Sequence, residues 1–269
     1  VIFYKTEEEI EIIRRNCLLV CETLAYVATM IKPGVTGKYL DSKAEEFIKD
    51  NGAVPAFKGY NGFPSTLCYS PNEVVVHGIP GNEEINETDI LSIDCGVKRD
   101  GFFGDAAYTF VMPRASEEAV KVCKVTKECL RLAIENAVVG KRLGDIGYAV
   151  QFHAEIKSKM GVVRELVGHG LGKDLHEAPE VCNFGKRGNG LLLKEGLVIA
   201  IEPMINYGTQ KVRQMKDGWT IKSQDSSPSA HYEHTVVVRK GVADVLSNHE
   251  IIENQIKNNK NISAISINF

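Results

Sequence analysis

The stretch 90–111 constrains this chain more than any other. Two apolar, β-prone runs, Ile90-Leu91-Ser92-Ile93-Asp94-Cys95-Gly96 and Phe102 through Val111, flank Lys98-Arg99-Asp100-Gly101. Asp-Gly between such runs is a strong short-range signal for a hairpin with a two-residue turn. That turn makes Arg99 face Phe102, and counting back along both strands sets Asp105 opposite Gly96. Side chains two residues apart share a face, so Asp94 and Asp105 point to the same side, unless a bulge near Phe103-Gly104 shifts the register. Asp100 has the ordinary position of a turn residue. Asp94 does not: it lies inside an apolar run, where an ionised carboxylate is costly unless something pairs with it. Two such carboxylates on one face ask for a cation.

The composition is that of a globular protein able to bury a substantial core, as one large domain or two fused halves: 269 residues, 43% hydrophobic and 25% charged. With 32 basic against 35 acidic residues the net charge is −3, which disfavours nucleic acid or an anionic membrane as the main partner. No apolar run is long enough to span a bilayer, and Val1-Ile2-Phe3-Tyr4-Lys5 lacks the layout of a secretory signal, so a cytoplasmic protein is expected. Seven cysteines with no Cys-x-x-Cys fit free thiols better than a disulfide or zinc framework.

Taken in order, Thr6-Glu7-Glu8-Glu9 opens a capped helix whose apolar positions 10, 13, 17, 20, 24, 27 and 31 keep helical period, and Lys32-Pro33-Gly34 stops it. A second helix is expected from about Tyr39 to Asp50. Residues 57–72 read as a glycine- and aromatic-rich loop, followed by a strand at about 73–77 and the hairpin. From Ser116 the pattern recurs: a capped helix to about Val138, a break at Val139-Gly140-Lys141, and an amphipathic helix from Leu143 to Met160-Gly161. The strand Val198-Ile199-Ala200-Ile201-Glu202 matches Ile90-Leu91-Ser92-Ile93-Asp94, so a duplicated half is expected, with Glu202 as the counterpart of Asp94. Residues 231–238 read as a β-run whose Glu233 is a partner for Asp105. The end of the chain, rich in Asn, Lys and Ile, reads as a helix fraying into a surface segment.

Gly168-His169-Gly170-Leu171-Gly172 lacks the third spaced glycine of a dinucleotide loop and the Lys-Ser/Thr of a phosphate loop. A histidine between glycines instead has a backbone free to approach a site, and imidazole is the commonest transition-metal ligand. Asp94, Asp105, His169, Glu202 and Glu233 together offer four negative charges and one neutral nitrogen, a balance suited to two divalent cations.

In order and spacing, Ile93-Asp94 with Asp105, Gly168-His169-Gly170-Leu171-Gly172, Ile201-Glu202-Pro203-Met204 and Tyr232-Glu233-His234-Thr235 resemble the metal-ligand motifs of the methionine aminopeptidases. Val74-Val75-Val76-His77-Gly78-Ile79-Pro80 and Met215-Lys216-Asp217-Gly218-Trp219-Thr220 are similar too, and the likeness runs from about residue 5 to 248. Having neither a zinc-binding extension nor a helical insert before the last ligand, the chain resembles the short bacterial type I form.

The resemblance implies an α/β pita-bread fold: two pseudosymmetric halves, at about 5–115 and 116–250, whose antiparallel sheets form a central cleft, followed by a tail over 251–269. It implies removal of the N-terminal methionine from nascent polypeptides when the second residue is small, by a monomer that is ribosome-associated. Asp94 would chelate one metal, Asp105 and Glu233 bridge both, and His169 and Glu202 hold the other. Glu202 would shuttle the proton, His176 meet the substrate carbonyl and His77 the peptide nitrogen. Phe57, Tyr60, Phe63, Cys68, Leu175 and Trp219 would line the methionine pocket. Phe57, Phe63 and Leu175 depart from the best-known bacterial pattern, where a small residue, Tyr and Phe are frequent. Backbone carbonyls of Asn72, Val74 and Ser229 match those that hold a monovalent cation in some relatives. The divalent ion could be Mn, Fe, Co or Zn, since availability decides among them.

His153, His231, His234 and His249 are expected to be packing or solvated residues. Cys17 and Cys21, one helical turn apart, are expected in the core, and Cys95 should face away from the metals because strand neighbours alternate. Lys186-Arg187-Gly188-Asn189-Gly190 reads as a polar turn. Two competing functions use the same fold: a proline-directed aminopeptidase or dipeptidase, and a non-catalytic peptide-binding module. The first usually carries an extra N-terminal domain, and the second generally loses ligands.

Overall fold

A computed structural model describes residues 1–267. Helix α1 (Glu7–Ala28) starts as its sequence dictates: the Thr6 hydroxyl accepts from Glu9 N, the Glu9 carboxylate accepts from Thr6 N, and three glutamates occupy the positive end of the dipole. Ile10, Ile13, Cys17, Val20, Leu24, Val27 and Ile31 are all buried. Helix α2 (Gly37–Asp50) begins two residues before the expected Tyr39, because the Thr36 hydroxyl caps it by accepting from Tyr39 N. A β-carbon on Gly37 would stand 2.9 Å from the Tyr69 ring, so the start of α2 packs directly on the sheet.

The hairpin forms with the register expected of it. Ile90–Arg99 pairs antiparallel with Phe102–Val111, Arg99 opposite Phe102 and Gly96 opposite Asp105, with no bulge. Asp100 and Gly101 both have positive φ, at 53° and 79°, as a type I′ turn requires. On its other edge the first hairpin strand pairs with Leu67–Pro71 and Val54–Pro55. The strand Leu67–Pro71 lies inside the stretch read as a loop. The flanking glycines and aromatics hid a short β-prone run whose Cys68 sits opposite Asp94.

In the second half, α3 (Glu117–Glu135) is capped by Ser116. The next helix is α4 (Leu143–Gln151), which widens into a π-helical turn at Phe152–Lys157 instead of continuing to Met160. That turn carries His153, whose Nε2 lies 2.7 Å from Glu128 on α3. A five-stranded antiparallel sheet follows, in the order Asp244–Val245, His234–Val237, Val198–Ile201, Gly168–Gly170, Glu177–Val181. A three-stranded sheet joins Ser229–His231, Met204–Asn206 and Gly161–Val162.

The expected single run over 231–238 is therefore split between two sheets, with Tyr232 and Glu233 at the break. The break is stabilised by the hairpin. Glu233 N donates to Ala107 O at 3.0 Å, Tyr232 Oη to Thr109 O at 3.0 Å, and Thr235 Oγ1 to Asp105 O at 2.9 Å. These bonds couple the two halves where the carboxylates meet.

Helix α5 (His249–Ile256) and the residues after it are not a surface segment. Ile256, Ile262 and Ile265 are buried, the Asn259 amide donates to Ala28 O and Ile31 O at the end of α1, and Ser263 bridges Val111. Asn268 and Phe269 lie outside the described residues. Among the described residues no helix is long and apolar enough to cross a membrane.

Candidate metal centre

Each candidate ligand is placed by a separate local device. Asp94 and Asp105 come from the hairpin and share a face through its register. His169 sits mid-strand between two glycines. A β-carbon at Gly168 would stand 2.3 Å from Ala200 O, and one at Gly170 2.5 Å from Ala178 O, so only glycine lets this strand lie so close to its neighbours. Glu202 follows the last residue of Val198–Ile201, and its carbonyl accepts from the Asn183 amide at 3.0 Å. Glu233 projects from the break between the two sheets.

All five converge on one cavity of about 350 Å³. His169 Nε2 lies 3.5 Å from Glu202 Oε1 and 3.8 Å from Asp105 Oδ2. Donor atoms of Asp105, His169 and Glu233 all fall within 4.8 Å of one another. The His169 Nδ1 is 2.9 Å from Gly170 O, which takes the ring proton and leaves the Nε2 lone pair facing the carboxylates. Among the described residues, Asp94 Oδ1, Asp105 Oδ1 and Glu233 Oε1 are buried without a hydrogen-bond partner. Orphaned carboxylate oxygens beside an imidazole lone pair suit a divalent cation of hard or borderline character.

The electrostatics agree. Burial, then mutual repulsion with the neighbouring carboxylates, pushes Asp105 and Glu233 well above the usual carboxyl range. Asp94 is raised to about 7 by burial and by Glu202, against an opposing pull from His231. Glu202 behaves differently. Burial pushes its carboxyl up, but the adjacent His231 and the His169 and His77 imidazoles more than offset that, leaving it below its ordinary value.

The same cavity is lined by Phe57, Tyr60, Phe63, Cys68, His77, Leu175, His176 and Trp219, so the structure brings every expected pocket residue together with the candidate ligands. The Phe63 and Trp219 rings meet edge to face at 5.2 Å. His176 stands at the open rim with Nδ1 2.8 Å from Tyr60 Oη. Desolvation in the cleft, and then His169, lower its imidazole to about 4. Asn72 and Ser229 are also brought together, Ser229 N donating to Asn72 O at 2.9 Å, with Val74 starting the strand that follows Asn72.

Cys95 packs in the main core and not in this cavity. Cys17 and Cys21 are fully buried, and Arg187-Gly188 forms a turn. Three features escaped sequence reasoning. Asn61, Val76, Glu165, Leu166 and Val167 line the cavity, and so does Met204, which alternation from Glu202 places on the same face. The third is His231. It is buried, in keeping with the packing alternative, and its Nε2 lies 3.3 Å from Glu202 Oε2.

Residues 11–240 match the sequence profile of Metallopeptidase family M24. The chain belongs to this family. Among M24 relatives, the methionine aminopeptidase of Clostridium acetobutylicum is 47% identical over 247 residues, covering 91% of this chain and 98% of that protein. The crystal structure of the methionine aminopeptidase from Rickettsia prowazekii aligns with a TM-score of 0.90 and 37% identity, over 92% of this chain and 100% of that one. The Thermotoga maritima methionine aminopeptidase gives 0.89 and 38%, over 92% and 100%. This M24 chain therefore has the pita-bread architecture of those enzymes, and its covered length corresponds to the short bacterial form.

Proposed function

We propose that this chain is a metal-dependent hydrolase that removes the N-terminal methionine from polypeptides whose second residue is small. The observation that carries the reading is the set of orphaned, buried carboxylate oxygens opening into an apolar cavity closed by Phe57, Phe63, Leu175 and Trp219. Methionine is long, unbranched and polarisable, and its thioether suits such aromatic and thiol walls. Asp94 would hold one divalent ion, Asp105 and Glu233 bridge two, and His169 and Glu202 hold the second. Bound there, the ions supply a Lewis acid that makes water nucleophilic at neutral pH and polarises the scissile carbonyl.

The chain's own groups do the rest. The lowered carboxyl of Glu202 stays ionised and takes a proton from water, then passes it to the departing amide nitrogen. With Tyr60 Oη donating to Nδ1, His176 carries its proton on Nε2 and donates it to the carbonyl as negative charge develops. Its lowered basicity keeps it neutral, a hydrogen-bond donor and not an acid. His77, at positive φ of 57° on the cavity wall, faces the peptide nitrogen. A monovalent cation held by the backbone at Asn72, Val74 and Ser229 would brace the two sheets. The reading extends to a cytoplasmic monomer meeting nascent chains at the ribosome, which a free amino terminus as substrate supports.

Chelator-stripped protein titrated with manganese or cobalt, then assayed on Met-Ala-Ser, Met-Lys-Ser and Ala-Pro peptides, tests the proposal. Ion binding with cleavage of Met-Ala-Ser alone is expected, and His169→Ala or Glu202→Ala should lose both ion and activity. Cleavage of Ala-Pro, equal rates with Lys after Met, or no ion uptake would overturn it.

A further inference from the structure

His231 occupies the last position of Ser229–His231, immediately before the break that presents Glu233. Its backbone is fixed by the ligand-bearing hairpin: Thr109 Oγ1 donates to His231 O at 2.7 Å, His231 N approaches the same hydroxyl at 3.1 Å, and Ser92 Oγ lies 2.8 Å from it. Across the strand it pairs with Met204, which lines the cavity. The side chain is only 1% exposed, and its Nε2 has no hydrogen-bond partner of good geometry. It does have a neighbour, Glu202 Oε2, at 3.3 Å.

That contact divides the Glu202 carboxylate. Oε1 lies on the ligand side, 3.5 Å from His169 Nε2, and Oε2 lies on the His231 side. Asp94, Asp105 and Glu233 each leave a buried oxygen without a partner, whereas Glu202 has an imidazole facing each of its two oxygens. A core histidine that merely filled space would have buried its ring nitrogen at a desolvation cost without pointing it at the carboxylate that moves protons.

We propose that His231 is a positioning residue for the M24 reaction, its Nε2–H donating to Glu202 Oε2 and fixing the carboxylate plane with Oε1 toward the ions. The proposal rests on the reading of Glu202 as the proton shuttle. Because His231 is anchored through Thr109 and Ser92 to the hairpin that carries Asp94 and Asp105, the shuttle is held in register with the opposite side of the site. The donor sets Glu202, His231 and Glu233 also lie within 4.8 Å of one another, so direct ligation by His231 is the rival to be excluded.

The test compares His231→Gln with His231→Asn, using manganese calorimetry on chelator-stripped protein and steady-state kinetics on Met-Ala-Ser. Gln carries an amide N–H out to about the same reach as Nε2, and Asn falls one methylene short. His231→Asn should lower kcat by about 10- to 100-fold with KM little changed, while His231→Gln recovers most of kcat; both should keep wild-type ion stoichiometry and thermal midpoint. Wild-type kcat in the Asn variant, or a Gln variant as slow as Asn with the fold intact, would overturn the proposal. So would loss of one ion equivalent in the Gln variant, which would make His231 a ligand. Wild-type protein that takes up no manganese would instead sink the metal-centre reading itself.

Discussion

Gly96 joins the shape of the cavity to the hairpin that carries Asp94 and Asp105. It pairs with Asp105 across the strands, and a β-carbon there would stand 2.6 Å from Phe57 Cε1 and 3.1 Å from Ala56 Cβ. Gly96→Ala should push the Phe57 ring into the cavity and raise KM for Met-Ala-Ser by about tenfold, ~1.4 kcal/mol of lost binding, with kcat and ion content retained. An unchanged KM would mean the ring yields elsewhere. The raised carboxyls of Asp105, Glu233 and Asp94 carry a second expectation. They must give up protons for an ion to bind, so ion uptake should release protons and weaken as pH falls below 7. Calorimetry in buffers of differing ionisation enthalpy reads that release; a buffer-independent heat would refute it. At this scale most of the candidate site's cavity lining is legible in the sequence, because buried carboxylates and a glycine-flanked histidine are chemically conspicuous. His231 was not, although it stands two residues from Glu233. Histidine is so often a core residue that the parity of the run is a weak signal, and the break between sheets is invisible in the apolar pattern.

Among the elements, the N-terminal segment acts as a strap on the loop that carries Leu175 and His176. Ile2 bridges Ala178 and Tyr4 bridges Leu197, and Lys5 N donates to Gly196 O at 2.8 Å. Lys5 Nζ lies 2.5 Å from Glu177 Oε2, with both side chains almost wholly buried. The other oxygen, Glu177 Oε1, accepts from Lys173 N at 2.8 Å, so the pair pins both ends of the loop. Truncating one partner of a buried pair leaves the other charge uncompensated, so Lys5→Met should destabilise by about 3 kcal/mol and raise KM as the His176 loop loosens. Adding Glu177→Gln should recover much of that stability. A double-mutant cycle with additive effects would show the pair to be uncoupled. Nothing in residues 1–5 announced this role, since a strap makes its contacts with strands nearly two hundred positions away. The same limit explains the hidden strand Leu67–Pro71, which is short and defined by pairing with Ile90–Arg99 more than by its own periodicity. The long helices, by contrast, carry their caps and their apolar stripe within themselves.

For the molecule as a whole, the sheet that carries Glu233 is packed on its reverse side as well as on the cavity side. Glu233 turns into the cavity with the other candidate ligands, while His234, the next residue, faces the opposite side of the sheet. There it stacks on His249 at a ring separation of 3.7 Å and places Nδ1 2.7 Å from Ser247 Oγ. The helix-helix-strand order is readable from its landmarks, but this reverse-side cluster is not, because it is assembled from a strand, a bend and α5 that only tertiary packing brings together. Burial, then the Lys127 charge, lowers His234 to about 3, and burial, then His234 and Lys127, lowers His249 well below its ordinary 6.5. Depressed imidazoles mean that the unfolded chain binds protons first. The stability they contribute is intact above pH 6.5 and is lost progressively as pH falls toward the folded values. In metal-free protein the raised carboxyls of the ion site work in the opposite sense, their contribution being greatest at low pH, so the net slope alone decides nothing. The difference between two proteins does. His249→Gln, whose side chain does not titrate, should be less stable than wild type at pH 7.5, and the gap between the two thermal midpoints should close as pH is lowered to 5. Parallel curves across that window would show that His249 carries no proton linkage, and that acid sensitivity of the fold arises elsewhere.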